Sequence, residues 1–118
     1  MSRAPEWERE FDRVYGVLQK LGLSANYLGF YQMACAVQLA RTEPERLLLV
    51  TKCIYPDVGK HFQVSREAVE RNLRTAVKVI WKADTPMLRK VMGEGAWERP
   101  CTARFLALLT VYLAGETA

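Results

Sequence analysis

Four cationic side chains, Arg71, Arg74, Lys78 and Lys82, follow one another at three- and four-residue steps in a chain of 118 residues. At the roughly 100° per residue of an α-helix they share one side of the rod, with Glu67, Glu70 and Thr75 near them. Val69, Leu73, Ala76, Val77 and Ile80 fall on the opposite side. A rod with one cationic and one apolar face suits the major groove of a duplex. Arginine offers two parallel donors to guanine, glutamate accepts from cytosine, and ammonium groups neutralise phosphates. Glu70, Arg71 and Arg74 are therefore the candidates for base contact. Lys60, Ser65, Arg66, Thr75, Lys78 and Lys82 are the candidates for phosphate contact. Glu70 has a second reading, an i,i+4 ion pair with Arg74 that only supports the helix.

Other chemistries find less support. His61 is the only histidine, and no Ser, Cys or acid around it forms a nucleophile motif. No glycine-rich phosphate loop is present. Cys35, Cys53 and Cys101 are widely spaced, without the close pairs of a zinc site, so they read as small buried hydrophobes in a reducing compartment. An enzyme, a metal and a cofactor are all unsupported.

The cationic rod needs a partner to position it. Residues 55–74 have the layout of a helix-turn-helix. A short helix from Asp57 to Phe62 carries Val58 and Phe62 on one side, with small Gly59 where two helices approach. Gln63-Val64 makes the turn, Val64 plugs it, and Ser65 caps a helix from Arg66 to Lys82. Gln63 stands where many such turns have glycine to adopt a left-handed conformation.

The rest of the chain also reads as helix. Glu6 to Leu21 spaces Trp7, Phe11, Val14, Tyr15, Leu18 and Leu21 as an amphipathic stripe that ends at Gly22. Ser24 or Asn26 is expected to cap a second helix, running through Tyr27, Phe30, Met33, Ala34, Val37 and Leu39 to Arg41. Its largely apolar circumference marks it as central. Thr42-Glu-Pro-Glu is a start signal for a third helix holding Leu47, Leu48, Val50 and Ile54, interrupted or restarted at Tyr55-Pro56. Thr85-Pro86 starts a short helix ending at Gly93, and a loop runs to Pro100. Thr102 is expected to cap a last helix, Ala103 to Ala114, closed by Gly115. That helix is apolar enough to meet a partner subunit, although a bundle core explains it equally. Phe105, Trp81 and Tyr112 read as core aromatics.

No segment alternates with period two. Residues 1–118 read as one all-α, compact six-helix bundle with an extra N-terminal helix at about 6–21 and the helix-turn-helix at about 55–82. Hydrophobic residues make up 50% and charged residues 25%, which excludes a disordered chain. The longest mostly apolar run, Phe105 to Ala114, is short of the roughly 20 residues that span a membrane. No signal peptide is expected from the charged N-terminus, and the cytoplasm is the expected location. The net charge is +4. Residues 1–59 carry seven basic and seven acidic groups, whereas residues 60–118 carry ten and six, so the excess sits with the cationic rod.

Two stretches resemble one family. Thr51-Lys52-Cys53-Ile54-Tyr55-Pro56-Asp57-Val58-Gly59-Lys60-His61-Phe62 is similar to the start of the DNA-binding effector domain of the sporulation master response regulators of endospore-forming bacteria. Val69-Glu70-Arg71-Asn72-Leu73-Arg74-Thr75-Ala76-Val77-Lys78-Val79-Ile80-Trp81 resembles its recognition helix, and Pro100 to Leu106 the start of its last helix. The resemblance spans most of residues 24–113. It implies a six-helix transcription factor domain that binds short asymmetric boxes, often as tandem copies, and contacts RNA polymerase and its sigma factor. By position Glu70, Arg71 and Arg74 match the family's recognition residues. The family usually has Ser-Arg just before V-E-R; Glu67-Ala68 stands here, so one arginine contact worth about 1–3 kcal/mol of discrimination is missing. The family's receiver domain has no counterpart in the residues before the effector unit, so an effector domain without one is expected.

The leading expectation is thus a sequence-specific, double-stranded-DNA-binding transcription regulator that pairs or lies in tandem on its target. The alternative is a protein-interaction module that keeps the fold without reading DNA and binds polymerase or antagonises a full-length regulator.

Overall fold

A computed structural model describes the backbone of residues 6–94 and 98–116 and the side chains of residues 9–94 and 98–115. The side chain of Trp7 and residues 95–97 of the loop before Pro100 lie outside the described residues. The described residues form six α-helices: α1 Glu6–Lys20, α2 Leu28–Thr42, α3 Tyr55–Phe62, α4 Arg66–Ala83, α5 Pro86–Met92 and α6 Thr102–Glu116. No strand occurs among the described residues. No helix among them is long and apolar enough to cross a membrane.

The stripe on α1 buries Val14, Leu18 and Leu21 completely, and Gly22 ends it at a φ of +102°. α2 is the centre of the bundle, packing against α1, α3, α4 and α6. Its small residues Ala34, Ala36 and Ala40 are fully buried and let those neighbours close in. Neither Ser24 nor Asn26 caps it. The Ser24 hydroxyl donates to the Asn26 side chain instead, and extended Tyr27 takes the N-cap position without a side-chain bond. The two short polar groups satisfy each other and leave the first amides of α2 to other partners.

The expected third helix is helical but not α. Thr42 does not start it; it is the last residue of α2, its hydroxyl donating to the Gln38 carbonyl at 2.9 Å. Pro44–Leu49 winds as a 3₁₀ helix and Val50–Ile54 as a π turn. In this stretch Val50 and Ile54 are buried, while Leu48 is 83% and Leu49 54% exposed. In a continuous α-helix the Pro56 ring would press on the carbonyl four residues back. The wider π turn separates them, so α3 restarts at Tyr55, two residues earlier than expected, with Pro56 in its first turn where a missing N–H costs little.

α6 also differs from expectation. Thr102 is its first helical residue rather than its cap, the Phe105 amide bonding back to the Cys101 carbonyl at 2.9 Å. Gly115 lies within the last turn rather than closing the helix. α6 buries Phe105, Leu106, Leu109 and Leu113, which satisfies most of its apolar surface inside the bundle. Trp81 and Tyr112 are half-buried against that core.

The turn between α3 and α4 is built as the spacing requires. Gln63 is left-handed, with φ 58° and ψ 43°, so a side chain occupies the conformation that glycine adopts most easily. Gln63→Gly is expected to raise stability by about 0.5 kcal/mol, the relief of that strain outweighing the extra entropy of unfolded glycine. Urea denaturation of the two proteins measures it.

Candidate nucleic-acid interface

Gly59 and Val64 hold the turn against α3. The Val64 amide donates to the Gly59 carbonyl at 2.9 Å. A Cβ placed on Gly59 would stand 2.6 Å from the Val64 carbonyl oxygen, so the close approach is between α3 and the turn's own backbone. Ser65 then caps α4, its hydroxyl accepting from the Ala68 amide at 3.1 Å. Asp57, in the first turn of α3, forms an ion pair with Arg46, whose Nη1 also donates to the Cys53 carbonyl at 3.3 Å. This clasp ties the 3₁₀ and π segments to the start of the helix-turn-helix.

On α4 the two expected faces are those of the structure. Val69, Leu73, Ala76, Val77 and Ile80 are buried, and Arg66, Arg71, Arg74, Thr75, Lys78 and Lys82 are exposed. Arg71 and Lys78 make no ion pair among the described residues. Arg74 Nη1 lies 3.8 Å from Glu70 Oε1, the i,i+4 pair. An exposed pair at that distance contributes little and opens readily. Arg66 Nε donates to Glu67 at 3.0 Å, and that bond holds the Glu67 carboxyl below the usual carboxylate range. Lys60 is exposed on α3.

At a rise of about 1.5 Å per residue, Arg66 and Lys82 are some 24 Å apart along the axis, twice the width of a major groove of about 12 Å. Arg66, Glu70, Arg71 and Arg74 are thus brought together on the first three turns, Lys78 follows in the fourth, and Lys82 stands apart from them. Thr75 is exposed on α4 near Tyr27, whose hydroxyl titration burial raises and Thr75 partly offsets.

The structure adds residues that the sequence reading did not include. A groove of about 440 Å³ runs beside α4, where Arg99 joins Glu70, Arg74 and Lys78, with Tyr55 and Thr102 in its wall. Burial pushes the Tyr55 hydroxyl above its ordinary titration, the nearby Glu70 carboxylate adding to the effect. On the inner side of α4, Asn72 is clamped to α2. Its Nδ2 donates to Gln32 Oε1 at 2.9 Å, and the Tyr27 hydroxyl donates to the Asn72 carbonyl at 3.3 Å. Gln32 is fully buried, the one signal that could have been read beforehand: a glutamine among the apolar residues of a central helix needs a partner. Asn72→Ala leaves the buried Gln32 Oε1 without its donor and is expected to cost about 1–3 kcal/mol by urea denaturation.

What this arrangement can do is present a rigid cationic strip to an anionic groove. A family model described as "Sporulation initiation factor Spo0A C terminal" matches residues 14–113, from within α1 to near the end of α6.

Proposed function

The chain belongs to the family of the sporulation initiation factor C-terminal domain, DNA-binding regulators of transcription rather than enzymes, and on that premise we propose that α4 is its recognition helix. In this reading the first three turns of α4 lie in the major groove of double-stranded DNA. Glu70, Arg71 and Arg74 meet base edges there. Lys60, Ser65, Arg66, Thr75 and Lys78 meet phosphates beside the groove, and Lys82 meets the backbone farther along. The observation that carries the reading is Arg71: it is exposed and unpaired among the described residues, on a helix whose opposite face is locked into the core. Releasing Glu70 from Arg74 costs little, so both remain free for bases.

Such a regulator acts in the bacterial cytoplasm, on the nucleoid. Tandem or paired binding and a contact with the sigma factor of RNA polymerase extend the same reading. Leu48 and Leu49, exposed on the 3₁₀ segment, suit a partner protein, and they are also what favours the second reading, an interaction module that does not read DNA. Fluorescence-polarisation titrations of duplexes across a salt series separate the two. DNA reading predicts a dissociation constant that rises steeply with salt. Lys78→Ala is expected to weaken every duplex alike and to lower the salt slope by about 1. Absence of duplex binding at low salt would leave the interaction module.

A further inference from the structure

The aromatic residues of α1 and α2 do more than fill the core. Tyr15 stacks on Phe30 with ring centroids 5.4 Å apart, and Phe11 lies 5.8 Å from Tyr15. Tyr31 meets Tyr15 and Phe30 edge-on, at 5.9 and 5.1 Å. Phe30 is buried, but Tyr31 is 39% exposed, so its ring is held in place by the cluster without being enclosed by it.

Beside this cluster a cleft of about 540 Å³ opens between α1, α2 and α3. Phe11, Tyr15, Tyr31 and Phe62 line it with rings, His61 with its imidazole and Cys35 with its thiol, and Asp12 supplies the only carboxylate among the described residues. Among the described residues no lysine or arginine lines it. The volume falls within the range of small-molecule sites, about 300–1,000 Å³. Its chemistry selects by charge. Aromatic faces carry partial negative charge and attract cations within about 6 Å. Asp12 repels an anion and gives a neutral apolar molecule nothing to pair with. The local field agrees: the Tyr15 hydroxyl is held above its ordinary titration by burial and then by Tyr31, Asp12 and Cys35. Cys35, whose thiol burial pushes up to about 11, is neutral at physiological pH.

We propose that this cleft binds a small organic ammonium ion with apolar substituents, its alkyl groups against the rings and its charge balanced by Asp12. The cleft is separate from the exposed face of α4, and the proposal does not rest on DNA reading. Phe62 is the last residue of α3, so a ligand held here touches both α1 and the helix that packs under α4. Phe11 and Asp12 precede the span matched by the family model, so one wall of the site belongs to this chain's own N-terminal segment.

Isothermal titration of the full chain with choline, and with 3,3-dimethylbutan-1-ol as its neutral isostere, tests the proposal. The expected result is saturable choline binding at least about tenfold tighter than that of the isostere. Asp12→Asn is expected to weaken choline about tenfold and leave the isostere unchanged, and Tyr31→Ala to weaken choline by a similar factor. Both side chains lie away from α4, so both variants are expected to retain wild-type circular dichroism and duplex affinity. That keeps a failure here distinct from a failure of the DNA reading. Absence of saturable choline binding overturns the proposal, as does equal binding of choline and the isostere, or an Asp12→Asn protein that binds choline like wild type. Self-association of the chain that Tyr31→Ala abolishes also overturns it, because a second copy then covers the cleft.

Discussion

Gly59→Ala is expected to destabilise the protein by about 2 kcal/mol, against the ordinary helical preference for alanine. Glycine is normally about 1 kcal/mol worse than alanine inside a helix, so propensity alone favours the change. Here the new methyl would stand 2.6 Å from the Val64 carbonyl oxygen, and its neighbours at 3.5 Å are the backbone of Ser65 and Arg66. Backbone cannot swing aside as a side-chain tip can, so α3 and the turn must part, straining the Val64–Gly59 hydrogen bond. Gly16, in α1, provides the control. Nothing lies within 4 Å of its Cβ position, so Gly16→Ala is expected to stabilise by about 0.5–1 kcal/mol. Urea denaturation of the two variants should give opposite signs. Because the distorted turn sets the entry of α4, Gly59→Ala is also expected to weaken duplex binding under conditions where it is still folded.

Arg71→Ala is expected to relax sequence preference at one base pair by roughly 5- to 150-fold, the equivalent of about 1–3 kcal/mol. Duplexes selected from a random pool by the wild-type and variant proteins reveal it as a flattened preference at that position. Arg71→Lys sharpens the test. Lysine keeps the charge but lacks the planar fork, so non-specific affinity is expected to persist while discrimination falls. Lys78→Ala should do the reverse, lowering affinity with the preference intact. A preference unchanged at every position by Arg71→Ala removes that side chain from base recognition.

The contrast between these positions and the rest of the chain shows what a sequence can disclose. α4 was readable because it is long and each turn repeats the same division: the five expected apolar positions are its five buried ones. The cap at Ser65 and the helix start at Thr85-Pro86 were readable because both signals are local, each hydroxyl accepting from the amide three residues on. The stretch from Pro44 to Ile54 was not, because its 3₁₀ and π turns are set by Pro56 downstream and by how Val50 and Ile54 reach the core, rather than by periodicity. Ser24 and Asn26 misled because each is a good cap by type, and only the fold shows them pairing with each other. In the interface, the cationic face followed from helical geometry alone. Arg99 reaches the groove from the segment before α6, and Asn72 meets Gln32 across 40 positions of sequence, contacts that no local pattern encodes.

The orientation of α4 on DNA is the claim from which the other assignments follow. Amide chemical-shift mapping of the ¹⁵N-labelled chain, titrated with a selected duplex, tests it most directly. The account predicts that the largest changes fall on residues 65–78 and on Lys60, with α1 and the exposed Leu48 and Leu49 little affected. Changes concentrated on α1 or on the 3₁₀ segment, with residues 65–78 unmoved at saturation, would contradict it.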